Sequence, residues 1–293
     1  MNFEGWGSQR WAIHLTQLLN AANPPDRYRF NIASFAKEIS ASLFPGDPIA
    51  EVRSVDLDDC EGALLPSDSG KRWGIYVNQK GSPRRRRFTA AHELGHYLVH
   101  RQKYPDGLRC DEAAVDGRNG VEIEREANDF AATLLMPLDD FRRLIPAKSE
   151  TDFDQLSECA THYDVSLVAA ILRWLRYTER RAMIVVSRDG YMKWAWSSEA
   201  ALKTRRYFKT SGTPVEVPPK SLVGQSIFTD DARAGVKHPE RVWFDEPTKE
   251  MTLRAEQYDL NYTLLQFANA APTFSHHDPH EPDAYDRFLD ARK

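Results

Sequence analysis

The apolar residues Trp11, Ile13, Leu15, Leu18 and Leu19 predict an amphipathic helix ended by Asn23-Pro24-Pro25. A second helix is expected after Asn31, whose side chain suits the capping position, with Ile32, Phe35, Ala36, Ile39 and Leu43 on one side. The pattern then changes period. Ile49 to Val55, Glu61 to Leu65 and Trp73 to Val77 read as short strands, with Ser67-Asp68-Ser69-Gly70 turning between the last two. Gly74 to Asn78 is expected to be a sheet edge able to hold an extended peptide. Phe88, Ala91, Leu94, Gly95 and Leu98 return to helical spacing behind Ser82-Pro83, and Ile123, Ala127, Phe130, Ala131, Leu134 and Leu135 form another stripe, closed by Pro137.

Further on, Leu138 to Ile145 should be a short helix, and residues 152 to 178 read as helix, turn, helix. The start of its second helix carries Leu167, Val168, Ala169, Ala170, Ile171 and Leu172, which belong in a core. A helix that reads base edges presents polar or basic residues there, so this pair is expected to pack against the preceding domain. Met183 to Ser187 and Tyr191 to Trp196 form a hairpin across Arg188-Asp189-Gly190. Arg241 to Asp245, Met251 to Gln257 and Tyr262 to Phe267 are expected to be strands. The resulting class is α+β. The expected divisions are 1–145, 146–180, 181–272 (a small β-rich domain) and a polar tail, 273–293.

Chemistry concentrates in His92-Glu93-Leu94-Gly95-His96. Four helical residues advance about 6 Å and a little more than one turn, so His92 and His96 share a face and can share one ion. Glu93 would lean toward the attacking water as general base. An ordinary core helix with hydrogen-bonded histidines is the plainer alternative. His100 lies about 12 Å along the same helix from His92, too far for all three rings to converge, and is set aside as a ligand. Glu124 is the better third ligand, since Glu124, Ala127, Asn128 and Ala131 share one side of the second helix and Asn128 can orient a ligating histidine.

These residues resemble the ImmA/IrrE family of metallo-endopeptidases, zinc peptidases of the gluzincin type. The resemblance rests on Arg87-Phe88-Thr89 before the His92 to His96 motif, the later His100, Glu124 with Ala127-Asn128 and Phe130-Ala131, and Leu135-Met136-Pro137. It implies a zincin-like fold, Zn2+ held by His92, His96 and Glu124, and Glu93 acting on the water. Glu126 is the runner-up ligand, being two positions away; otherwise Glu122 and Glu126 form a solvated face. The resemblance also implies a cytoplasmic protease making limited cuts in a regulatory protein, typically a helix-turn-helix repressor, under stress or mobile-element control. A non-catalytic zinc-containing regulator and a toxin–antitoxin component are the alternatives. Tyr97, His162 and Tyr163 are conceivable oxyanion partners.

Composition narrows this further. The chain has 293 residues, 41% of them hydrophobic, enough for two compact domains. A formal charge of −4 gives no global pull toward nucleic acid. The arginines at 84–87 point in different directions if helical, which disfavours a phosphate-binding stripe, and Arg87 is expected to pair with a buried carboxylate. Three isolated cysteines suit a reducing compartment rather than disulfides or a thiolate metal site. No export signal and no membrane span are expected. His276, His277 and His280 in the tail are weak metal ligands without a rigid element beneath them.

Overall fold

The computed structural model describes residues 3–22, 27–58, 60–109 and 118–272, with the side chains of 118–121 excepted. The turn at Asn23-Pro24-Pro25, residues 110–117 of the connection between the two expected metal helices, Cys110 among them, and the histidine-bearing tail lie outside the described residues. The chain is α+β and divides into two compact units, Met1–Asp140 with Thr161–Ser166, and Phe141–Ala160 with Leu167–Lys293.

In the first unit, helix α1 (Ser8–Ala22) buries Trp11, Ala12, Leu15 and Leu19. Helix α2 (Ile32–Leu43) starts where the Asn31 side chain accepts from the Ser34 amide at 3.0 Å, satisfying a donor the helix itself leaves open. Strands β1 (Ile49–Val55), β2 (Gly62–Pro66), β3 (Trp73–Asn78) and β4 (Leu108–Arg109) form one sheet in the order β1-β3-β2-β4. β1 runs parallel to β3, whereas β2 is antiparallel to both β3 and β4. The expectation that β3 is an edge is therefore corrected: it is interior. Its burial explains why, because Trp73, Gly74 and Ile75 are all buried, and a strand covered on both faces belongs inside a sheet.

Helix α3 (Pro83–Val99) begins with the Ser82 hydroxyl accepting from the Arg85 amide and with Pro83, whose fixed φ suits the first turn. It lies against β2 and β3, and its residues from Phe88 to Leu98 are buried. Helix α4 (Arg118–Leu135) packs on α3 and α1. A Cβ added to Gly95 would sit 3.0 Å from the Phe130 ring, so glycine there lets α3 and α4 approach. Each arginine at 84–87 is bonded within the unit. Arg84 meets Asp164 and Arg85 meets Glu61, while Arg86 donates to the Gln79 and Gly81 carbonyls. Arg87 donates to the carbonyls of Tyr163, Asp164 and Tyr28, which replaces the expected carboxylate partner by backbone.

The second unit is built on a six-stranded antiparallel sheet whose order is β7 (Val215–Glu216), β6 (Tyr191–Ser197), β5 (Ala182–Arg188), β10 (Leu260–Phe267), β9 (Thr248–Ala255), β8 (Val236–His238). The helices α5 (Leu138–Leu144), α6 (Phe153–His162) and α7 (Leu167–Tyr177) lead into it. α7 buries Val168, Ala170, Ile171, Trp174 and Leu175 and lies against β5 (Ala182–Arg188) and β6 (Tyr191–Ser197). Asp189 and Gly190 both take positive φ, 52° and 79°, as a two-residue hairpin turn requires. α8 (Glu199–Leu202), β7 (Val215–Glu216), α9 (Asp230–Ala234) and β8 (Val236–His238) follow. Arg241 to Asp245 is not a strand: Arg241 adopts φ 69°, the ladder is interrupted, and only a bridge between Phe244 and Glu246 forms. β9 (Thr248–Ala255) and β10 (Leu260–Phe267) complete the sheet.

Candidate metal centre

Helical spacing on α3 turns His92 and His96 to one side, and their Nε2 atoms come within 2.9 Å of each other. From α4, Glu124 reaches both rings: Oε2 is 3.1 Å from His92 Nε2, and Oε1 is 3.1 Å from His96 Nε2. Among the described residues these three form a group that could hold a metal ion, each offering an atom within 4.8 Å of the others. The chemistry of the donors, two imidazole nitrogens and a carboxylate, is that of a site with room for a further ligand.

Around this cluster the polar groups are arranged in depth. His92 Nδ1 lies 3.0 Å from Asn128 Oδ1, one helical turn beyond Glu124. His96 Nδ1 lies 3.0 Å from His100 Nδ1, and His100 Nε2 lies 2.8 Å from Glu126 Oε2. Glu126, expected either as a ligand or on a solvated face, is instead the partner of His100, whereas Glu122 lies 3.7 Å from Arg125 on the outside of α4. His100, set aside as a ligand, joins the site one shell out. Sequence reasoning missed this pair, although the spacing His92, His96, His100 was itself the signal that a third ring continues the row.

Glu93 is buried, 1% exposed, and its Oε1 has no hydrogen-bond partner. Burial pushes its carboxyl up, the negative charge of Glu124 adds to this, and His92 opposes it. For His92 burial works against the charged form, yet Glu124 outweighs it and the ring is pushed well above its ordinary value. Glu124 is driven the other way: burial would raise it, but the two histidines hold it far below the usual carboxylate range. His96 and His100 are both lowered, chiefly by burial.

Gly62, at the start of β2, was not singled out in the sequence. A Cβ there would fall 2.4 Å from Glu93 Oε1 and 2.6 Å from the Thr89 methyl, so the bare backbone makes the space in which Glu93 sits. The oxyanion candidates are engaged elsewhere. Tyr97 donates its hydroxyl to the Asp47 carbonyl at 3.0 Å, and Tyr163 donates to Asp140 Oδ2 at 2.8 Å. His162 lies beside Tyr28, with ring centres 4.6 Å apart.

A mixed sheet laid on a helix that carries paired histidines, with a second helix behind it, is the zincin-like arrangement of metallopeptidases. Residues 49–175 match the family model Peptidase_M78, described as an IrrE N-terminal-like domain, so the ImmA/IrrE resemblance read from the motifs holds over this segment. Among solved structures, a Mycobacterium tuberculosis transcriptional regulator is similar in fold, with a TM-score of 0.51 at 15% identity, covering 88% of this chain and 76% of that one. The comparison with curated proteins returns no match. Among the described residues, no helix is long and apolar enough to cross a membrane.

Proposed function

We propose that the protein is a zinc-dependent endopeptidase that makes limited cuts in a regulatory protein, a helix-turn-helix repressor, in the cytoplasm. The observation that carries this reading is the buried Glu93, whose Oε1 has no hydrogen-bond partner and which adjoins His92 on the helix whose two histidines meet Glu124 in a group able to hold a metal ion. A closed structural metal site takes four protein ligands and has no use for a desolvated carboxylate beside it.

In this proposal His92 Nε2, His96 Nε2 and a Glu124 carboxylate oxygen hold the ion. Zinc bound there supplies Lewis acidity, which makes water nucleophilic near neutral pH and polarises the scissile carbonyl. Glu93 would take a proton from the attacking water and return it to the leaving amine. Asn128 holds the His92 ring by its Nδ1 hydrogen.

The competing reading is a non-catalytic zinc-containing regulator or a toxin–antitoxin component, and the regulator named in the structural comparison gives it its ground. Incubation with a repressor encoded beside the gene separates the two. The proposal expects discrete fragments from wild-type protein and intact repressor with Glu93→Gln, at equal zinc content. Equal behaviour of the two proteins toward the repressor would favour the regulator.

A further inference from the structure

His92 and His96 are backed by unlike partners. His92 meets the neutral amide oxygen of Asn128, whereas His96 meets a second imidazole that in turn meets a carboxylate. We propose that His100 and Glu126 form a positioning pair for His96, fixing the tautomer in which its Nε2 faces the metal and strengthening that nitrogen as a donor. This rests on the reading of His92, His96 and Glu124 as ligands.

At the His100 end of the chain, the donors and acceptors in place set the hydrogens that the proposal uses. An ionised carboxylate only accepts, so at 2.8 Å from Glu126 Oε2 the His100 ring carries its hydrogen on Nε2. Its Nδ1 is then a bare acceptor. The Nδ1 atoms of His96 and His100 are 3.0 Å apart, and two nitrogens at that distance need one hydrogen between them. His96 supplies it from Nδ1, which leaves a lone pair on its Nε2.

Burial makes this arrangement binding rather than optional. His100 is 1% exposed, so water cannot stand in for its partners. The Glu126 side chain is 36% exposed, so the relay ends at a residue the fold tolerates losing. A charged end also distinguishes this relay from Asn128, since a carboxylate behind an imidazole makes the ligating nitrogen more basic.

The test measures zinc affinity of the full-length, metal-free protein by competition with a chromogenic chelator. It also reads the His96 tautomer by nitrogen NMR without metal. Glu126→Leu should weaken zinc binding about 10-fold, with Glu126→Gln, which can still accept from His100, recovering most of it. His100→Phe should lose roughly 10- to 100-fold, because His96 then has no acceptor. His100→Asn places an oxygen where the Nδ1 was, as Asn128 does for His92, and should bind more tightly than His100→Phe. In that background Glu126→Leu should change nothing further. NMR should find the His96 hydrogen on Nδ1.

The proposal is overturned if Glu126→Leu and His100→Phe hold zinc like wild type while Glu124→Gln does not, or if His96 carries its hydrogen on Nε2. If wild-type protein itself fails to take up zinc, the ligand reading falls and this inference with it. Should His100→Phe not fold, the partly exposed Glu126 variants and the wild-type tautomer still decide.

Discussion

Among the described residues two glutamates are sealed from solvent, one in each unit, and they are treated in opposite ways. Glu250 on β9 is 0% exposed and fully engaged: its oxygens accept from the amides of Leu222 and Val223, each at 3.1 Å, and from Trp243 Nε1 at 2.8 Å. Glu93 on α3 is 1% exposed and has an oxygen with no partner. A buried carboxyl met by donors acts as a staple that ties a loop to a strand. One left without them is held at a cost in stability, and such costs collect where chemistry is done. The comparison teaches that burial alone does not mark a functional acid; the missing donor does.

If this contrast is right, the two positions fail differently. Glu93→Gln should lower the rate of repressor cleavage by about 10²- to 10⁴-fold, the size of a lost general base, while the thermal midpoint stays level or rises. A drop in midpoint with retained cleavage would erase the distinction. Glu250→Ala should do the reverse. It leaves the Leu222 and Val223 amides and the Trp243 indole without an acceptor and should cost about 3 kcal/mol in urea unfolding, from about 1–3 kcal/mol for each buried group left unpaired.

Gly62→Ala sharpens the same point from the strand side. The added methyl must push Glu93 or Thr89 aside, and a displacement of about 1 Å at a catalytic group can cost about 10²-fold in rate. Steady-state cleavage should show this with zinc affinity unchanged, because the atoms the new methyl meets first belong to Glu93 and Thr89.

A smaller effect belongs to Glu246 in the second unit. Burial would raise its carboxyl, but hydrogen bonds from Arg181 and Arg206 prevail and hold it below its ordinary value. A depressed folded-state value means its stabilisation is present above the unfolded carboxylate range and is lost as pH falls through the folded value. Urea midpoints of wild type and Glu246→Gln should therefore differ near pH 7 and converge on acidification. A gap that stays constant with pH would show that the ion pairs with the arginines contribute nothing.

Much of this was legible in the chain because it depends on local spacing. His92 and His96 meet through the period of one helix, the Ser82-Pro83 start and the Asn31 cap are local signals, and the Asp189-Gly190 turn states its own geometry. What the chain did not disclose depends on contacts between elements. The pairing of His100 with Glu126 needs α3 and α4 set side by side, and distance along one helix argued only that His100 could not reach the ion. β3 resembled an edge because its two neighbours, β1 and β2, both precede it and only pairing shows that it lies between them. Gly62 is unremarkable until β2 is laid against Glu93. Glu250 sits between a lysine and a methionine with nothing local to say that it is buried.

The central claim is that His92, His96 and Glu124 hold one zinc beside Glu93. Its most direct test is metal content by mass spectrometry, on untagged full-length protein reconstituted with zinc and then desalted. The account predicts about one zinc per chain in wild type and in Glu93→Gln, with Glu124→Gln well below that. No zinc in wild type after reconstitution, or equal zinc in Glu124→Gln, would contradict it.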